Sequence, residues 1–177
     1  PDRASPPWLA YGAPVLDPAL ARSWLLLPSA WVAPPAVTSS APATVRSIAD
    51  AVLEVCLETA WSQLRNRHRE DGARFAVIAY GKQGGKELGY ASDLDIIFLY
   101  DDDDARAAEV YARLAQRVNH WLTTHMAAGV LFETDLRLRP SGASGLLVSS
   151  LAGFEEYQEK SAWAWEHQAL SRARFCA

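Results

Sequence analysis

Residues 81–100 read Gly-Lys-Gln-Gly-Gly-Lys-Glu-Leu-Gly-Tyr-Ala-Ser-Asp-Leu-Asp-Ile-Ile-Phe-Leu-Tyr, which restricts the fold to a strand–loop–strand unit built around two acids. An apolar run at 75–80 enters a glycine-rich loop. The loop leads into a second apolar run that opens with two carboxylates one residue apart. Alternate side chains of a strand share a face, so Asp93 and Asp95 point the same way. The run behind them, Ile96, Ile97, Phe98 and Leu99, is apolar on both faces, as in a strand covered on both sides. Carboxylates at the mouth of such a strand are costly unless they are paired or bound to metal. Mg²⁺ takes one or two carboxylates together with phosphate oxygens and water. The pair therefore points to a metal–nucleoside triphosphate site and to nucleotidyl transfer. A single Asp at a strand end is commonly a turn cap, but two of them after this loop are poorly explained that way.

The loop carries the other half of the expectation. Four of the ten glycines lie between residues 81 and 89, and Lys82 and Lys86 are two of only three lysines. Consecutive backbone N–H groups at Gly84 and Gly85 would form an anion-binding concavity. A short helix starting near Lys86 would add its positive end. The Gly-Lys-Ser/Thr ending of a Walker loop is missing, and the glycine spacing does not fit a dinucleotide fingerprint. Without the acids that follow, a hairpin loop with solvated lysines would be the better reading.

A two-metal site needs a third acid, and the segment 130–140 offers one. A strand is expected at 130–138, with Glu133, Asp135, Arg137 and Arg139 alternating along one face. Asp135 suits a bridging ligand or an acceptor of a hydroxyl proton. The guanidinium forks of Arg137 and Arg139 suit phosphate oxygens. Taken alone, the segment reads equally well as a surface strand laced with ion pairs. The glycine- and serine-rich stretch 141–145 is expected to be a flexible loop.

The rest of the chain bounds these readings. Half of the 177 residues are hydrophobic and the net charge is −4, which suits a globular domain and argues against a nucleic-acid partner. Two isolated cysteines, Cys56 and Cys176, do not make a secreted disulfide scaffold. No apolar run approaches the roughly 20 residues of a membrane span, and no signal peptide is visible. Eight of the ten prolines lie in residues 1–35 with Trp8, Trp24 and Trp31, so residues 1–40 are expected to be an irregular lead-in. Residues 41–177 are expected to be one α/β (α+β) domain, a small mixed sheet with flanking helices. Met126 is the only methionine, and the last residues are expected to lie in a helix. Together these suggest a piece of a larger protein.

Within that domain, a helix from Pro42 should bury Val45, Ile48, Val52, Val55, Cys56, Ala60 and Trp61. The charged run 65–70 and the four acids 101–104 are expected to be solvated turns, the latter also a helix N-cap. A helix at 105–127 should bury Val110, Leu114, Val118, Trp121, Leu122 and His125, ending near Gly129. His120 and His125 are too badly spaced to share a metal on it. A short strand near 146–149 and a helix from 151 follow. Trp163, Trp165 and His167 are expected in the core rather than in the site.

Together the loop-and-acid unit at 81–100, the run Glu-Thr-Asp-Leu-Arg-Leu-Arg-Pro-Ser-Gly at 133–142 and the run Trp-Ala-Trp-Glu-His-Gln-Ala-Leu-Ser-Arg-Ala-Arg at 163–174 resemble the glutamine synthetase adenylyltransferase family. The resemblance covers roughly residues 45–177, and its specificity lies in the combination. It implies the polymerase β-like nucleotidyltransferase fold of large bifunctional bacterial regulators of nitrogen assimilation. One half of such an enzyme removes AMP from glutamine synthetase by phosphorolysis. The other adds AMP from ATP to a tyrosine hydroxyl. Leu-Gly-Tyr-Ala-Ser at 88–92, Arg-Pro-Ser-Gly at 139–142 and Trp-Glu-His-Gln at 165–168 are similar to the adding half. Gln83 stands where leucine is common in the family. The resemblance implies Mg²⁺ on Asp93, Asp95 and Asp135, and ATP held by Lys82, Gly84, Gly85, Ser92, Arg137 and Arg139. It also implies glutamine synthetase as protein substrate, the PII signal protein and glutamine as regulators, and a bacterial cytoplasmic location. The removing half, or a non-catalytic regulatory module of the same fold, are the alternatives.

Overall fold

A computed structural model describes residues 41–177, so the expected lead-in at 1–40 lies outside the described residues. The elements run α1 (Ala41–Ser62), β1 (Phe75–Ala79), a single turn α2 (Gly81–Gly84), β2 (Leu94–Tyr100), α3 (Ala107–Thr123), β3 (Thr134–Asp135), a 3-10 turn (Gly142–Ser144), β4 (Val148–Ser150), α4 (Leu151–Lys160), α5 (Ala164–Leu170) and β5 (Arg174–Phe175). This is the mixed α/β architecture with a small sheet that the element order predicts, consistent with a nucleotidyltransferase-like fold.

β2 is the hub. β1 pairs with it antiparallel from Phe75↔Tyr100 to Ala79↔Ile96. Its other edge is shared by two parallel partners, β3 beside its start and β4 beside its end. β5 closes the far edge of β1, antiparallel, with Ile78 opposite Phe175 and Ala79 opposite Arg174. The last residues thus form a strand where a helix was expected.

The alternation of β1 and β2 sorts the core. Phe75, Val77 and Ala79 with Leu94, Ile96 and Phe98 share a face with the buried residues of α1 and α3. Ala76, Ile97 and Leu99 on the opposite face are buried as well, and α4 lies against β2 and β4. The strand is covered on both sides, as its unbroken apolar run requires.

Both long helices differ from expectation in detail. On α1 the buried positions are Ala49, Leu53, Ala60 and Trp61, flanked by Val45, Val52, Cys56 and Leu57. Ile48 and Val55, seven residues apart and so on one side, are exposed at 54% and 62%. The helix is rotated toward its alanine and leucine positions. α3 buries Val110, Tyr111, Leu114, Ala115, Val118 and Leu122 at helical spacing but ends at Thr123. Thr124 is extended, and His125 lies exposed in a tight connection closed by Met126 and Gly129.

The two charged runs are not simply solvated. Asp102 accepts hydrogen bonds from His68 Nε2 at 2.8 Å, Arg69 at 2.9 Å and the Tyr111 hydroxyl at 2.8 Å. The His68 side chain is 2% exposed and that of Asp102 8%. One acid of the four-residue run therefore locks the α1–β1 connection onto α3. In the last third, Trp163 and Trp165 are exposed, while Glu166, which follows them, is buried against Tyr157.

Candidate active site

The site forms where β1 hands the chain to α2. The Tyr80 N–H donates to Asp95 O at 2.8 Å, which ties the end of β1 to the start of β2. Gly81 then takes φ +51°, and an added Cβ would collide with the Asp95 carboxylate. Glycine meets both demands, having neither the left-handed penalty nor the side chain. The chain coils once: Gly84 donates to Tyr80 O, Gly85 to Gly81 O, Lys86 to Gln83 O and Glu87 to Lys82 O. The helical turn thus precedes Lys86 rather than starting there, and Lys86 itself is left-handed at φ +64°. The expected cradle of unspent amides at Gly84 and Gly85 differs from what is built, because those amides are used within the turn. The bare sides of both glycines instead admit Arg172: its carbonyl lies over Gly84 and its guanidinium over Gly85. That guanidinium also binds Glu87 at 2.7 Å.

The turn is pinned from behind. Leu88 and Gln83 are both fully buried. The Gln83 amide donates to Asp50 Oδ1 at 2.5 Å, and Arg174 reaches the same oxygen at 2.8 Å and Gln83 O at 3.3 Å. Neither Asp50, Arg172 nor Arg174 carries a local sequence signal, since each meets the loop across 33 or more residues.

The three acids meet here. Asp93 is exposed one residue before β2, and Asp95 is half-buried within it. β3 runs parallel beside β2, with Leu94 opposite Thr134 and Asp95 opposite Asp135. Leu94 N–H donates to Glu133 O at 2.8 Å, and the Thr134 hydroxyl donates to Asn119 on α3 at 2.7 Å, fixing that register. One carboxylate oxygen from each acid lies within 4.8 Å of the others. Burial, then the charges of Asp93 and Asp135, raise the proton affinity of Asp95, while Arg137 and Lys82 act against this. Asp135 is shifted the other way, mainly by its hydrogen bond with Arg137. Three hard oxygen donors that repel one another fit a cation such as Mg²⁺.

The arginines are placed differently from one another. The strand expected at 130–138 is only Thr134–Asp135, and the chain then turns. Arg137 and Arg139 are therefore not alternating strand residues on one face. The Arg137 guanidinium is 80% exposed and ion-paired with Asp135. Arg139 turns inward to the carbonyls of Leu136 at 2.7 Å, Ala143 at 3.2 Å and Gly145 at 3.4 Å, so it braces the 136–145 loop. Of the remaining candidates, Lys82 is exposed and Ser92 half-buried beside Asp93.

The family model described as glutamate-ammonia ligase adenylyltransferase matches residues 37–177. The chain belongs to this adenylyltransferase family. It is 65% identical over 131 residues to a bifunctional glutamine synthetase adenylyltransferase/adenylyl-removing enzyme of Aromatoleum aromaticum, covering 74% of this chain and 14% of that protein. Proteins of the same description from Ralstonia nicotianae and Neisseria meningitidis are 63% and 55% identical, each over 73% of this chain. The chain spans about 14% of the length of these adenylyltransferase relatives. Among the described residues, no helix is long and apolar enough to cross a membrane.

Proposed function

We propose that the chain is the catalytic unit that transfers AMP from ATP to a tyrosine hydroxyl of glutamine synthetase, acting in the bacterial cytoplasm. The observation that carries this reading is the register of β2 and β3, which sets Asp135 directly beside Asp95 with Asp93 in reach. Nucleotidyl transfer needs that oxygen set. Three acids converging at the start of a sheet, two of them half-buried, repel one another unless a cation sits among them.

Asp93, Asp95 and Asp135 would hold Mg²⁺, which when bound neutralises charge on the phosphates. Lys82 and Arg137, both acting on Asp95 through their charge, would hold the triphosphate, with Ser92 as a hydroxyl donor beside Asp93. Gly84 and Gly85 would serve by seating Arg172 and so fixing the turn that presents Lys82. Arg139 would serve by bracing the loop behind Arg137. The tyrosine oxygen forms a bond to the α-phosphorus in line, the bond from that phosphorus to the bridging oxygen breaks, and pyrophosphate leaves. Positioning and charge do most of the work in such transfers. The attacking hydroxyl has an ordinary pKa near 10 and must shed its proton. Asp135 is a weak proton acceptor as long as Arg137 is bound to it, so it can take that proton only once Arg137 has let go.

Tyr90, Ser141 and the Trp-Glu-His-Gln segment at 165–168 support the adding rather than the removing half. Glutamine and the PII protein would regulate the enzyme. The test incubates the protein with α-labelled ATP, Mg²⁺ and glutamine synthetase, and in parallel with phosphate and AMP-modified glutamine synthetase. Label gained by glutamine synthetase supports the proposal. AMP released as ADP without label gain would make this the removing half, and neither activity would make it a regulatory module.

A further inference from the structure

Arg137 engages both oxygens of Asp135. Its Nε lies 3.0 and 2.9 Å from the two carboxylate oxygens, its terminal nitrogen reaches Oδ2, and its own backbone N–H donates to Oδ1 at 2.8 Å. Three N–H groups of Arg137 thus serve a carboxylate that has about four lone-pair sites. A cation shared by Asp93, Asp95 and Asp135 therefore competes with Arg137 for an Asp135 oxygen. The guanidinium is mostly exposed and hangs from a turn, so it can swing away without disturbing the sheet.

We propose that Arg137 is an exchangeable counter-ion: it holds Asp135 against metal alone, and trades the carboxylate for a phosphate oxygen when metal and nucleoside triphosphate arrive together. This rests on reading the site as a metal–nucleotide centre. A metal ion by itself has to displace a cation that then has no anionic partner. A metal–triphosphate complex supplies that partner, since a guanidinium binds phosphate oxygens as readily as carboxylate oxygens. Metal and triphosphate then assist one another, and the coupling is reciprocal. If Arg137 only oriented Asp135 for the metal, its removal would weaken metal binding. If it is exchanged, its removal strengthens binding of the metal alone. Lys82 provides the control, because it acts on Asp95 by charge and lacks this hold on Asp135.

The experiment titrates Mn²⁺ into the wild-type chain, Arg137→Ala, Arg137→Gln and Lys82→Ala, reading unbound Mn²⁺ by electron paramagnetic resonance, with and without a non-hydrolysable ATP analogue. Arg137→Ala and Arg137→Gln should bind Mn²⁺ alone about two- to fivefold tighter, the scale of an exposed ion pair. The tightening of Mn²⁺ by the analogue should shrink by a similar factor in both. Lys82→Ala should change binding of Mn²⁺ alone much less. Weaker or unchanged Mn²⁺ binding in the Arg137 variants, or an equal gain in Lys82→Ala, overturns the exchange and leaves the metal centre standing. Wild-type protein that holds no Mn²⁺ in either condition overturns the metal-centre reading and the exchange with it.

Discussion

The Asp95 carboxylate lies directly against the bare Cα of Gly81, so closely that any side chain at Gly81 would displace it. The glycine that opens the turn and the acid in the next strand are thus one unit. The left-handed backbone at Gly81 turns the chain away from β1, and the missing side chain leaves room for the acid.

Gly81→Ala follows from that contact. The left-handed conformation costs a non-glycine residue about 1–2 kcal/mol, and the methyl group pushes Asp95 out of register with Asp135. Melting should fall by several degrees, and AMP transfer should fall far more than the loss of folded protein explains. Normal transfer per folded molecule would show that the position of Asp95 is unimportant.

Asp95→Asn should separate stability from function. The folded protein raises the proton affinity of Asp95 through burial and through Asp93 and Asp135, so the ionised form is penalised at neutral pH. In the pH range between its ordinary and raised values, the folded state binds more protons than the unfolded chain, so this penalty grows as pH rises. In metal-free buffer at pH 7–8 the variant should be more stable than the wild type. That advantage should fade as pH falls toward the ordinary aspartate range near 3.9. Transfer should be lost. A variant less stable than wild type at pH 8 would contradict the repulsion. Melting with excess chelator across the pH range checks it.

Asp102 should behave oppositely. Its hydrogen bonds from His68, Arg69 and Tyr111 hold its carboxyl well below the usual range, against the effect of burial. A carboxyl lowered on folding stabilises the protein above its ordinary range, and that contribution is lost progressively as pH falls from there through the lower folded-state value. Asp102→Asn should therefore cost about 2–4 kcal/mol at pH 7, with the difference narrowing below about pH 5. Since the network lies away from the acids, the KM for ATP of the folded fraction should stay near that of wild type. Urea unfolding at several pH values measures the first and transfer kinetics the second.

The parts of this site that are legible in sequence are the local ones. Asp93 and Asp95 are two residues apart at the mouth of β2, so their short spacing alone keeps them close. Asp135 is recognisable by residue type, but its partnership with Asp95 comes from a two-residue parallel strand, and no local pattern encodes pairing across a sheet. The alternating Glu133, Asp135, Arg137 and Arg139 suggest a long strand, yet the chain turns after Asp135 and sends the two arginines to different tasks. The clamp of Asp50, Gln83, Arg172 and Arg174 is invisible for the same reason, because its members come from α1, the loop and the chain's last residues. Composition misleads in both directions elsewhere. A run of four aspartates looks wholly solvated, but one of them is a buried hydrogen-bond hub. Trp163 and Trp165 look like core by size, but both are exposed, and the neighbouring Glu166 is the buried one.

The most direct test of the central claim uses Asp93→Asn, which keeps the shape of the residue and removes its charge. Label transferred from α-labelled ATP to glutamine synthetase is measured beside phosphate-dependent release of AMP, in a bifunctional enzyme that carries this chain as wild type or as the variant, with melting recorded for both. Transfer should fall at least about a hundredfold, the scale seen when one charge-stabilising group is removed from a reacting centre, with melting unchanged or raised and AMP release unaffected. Near-normal transfer by Asp93→Asn, or loss of release with transfer preserved, would contradict the claim.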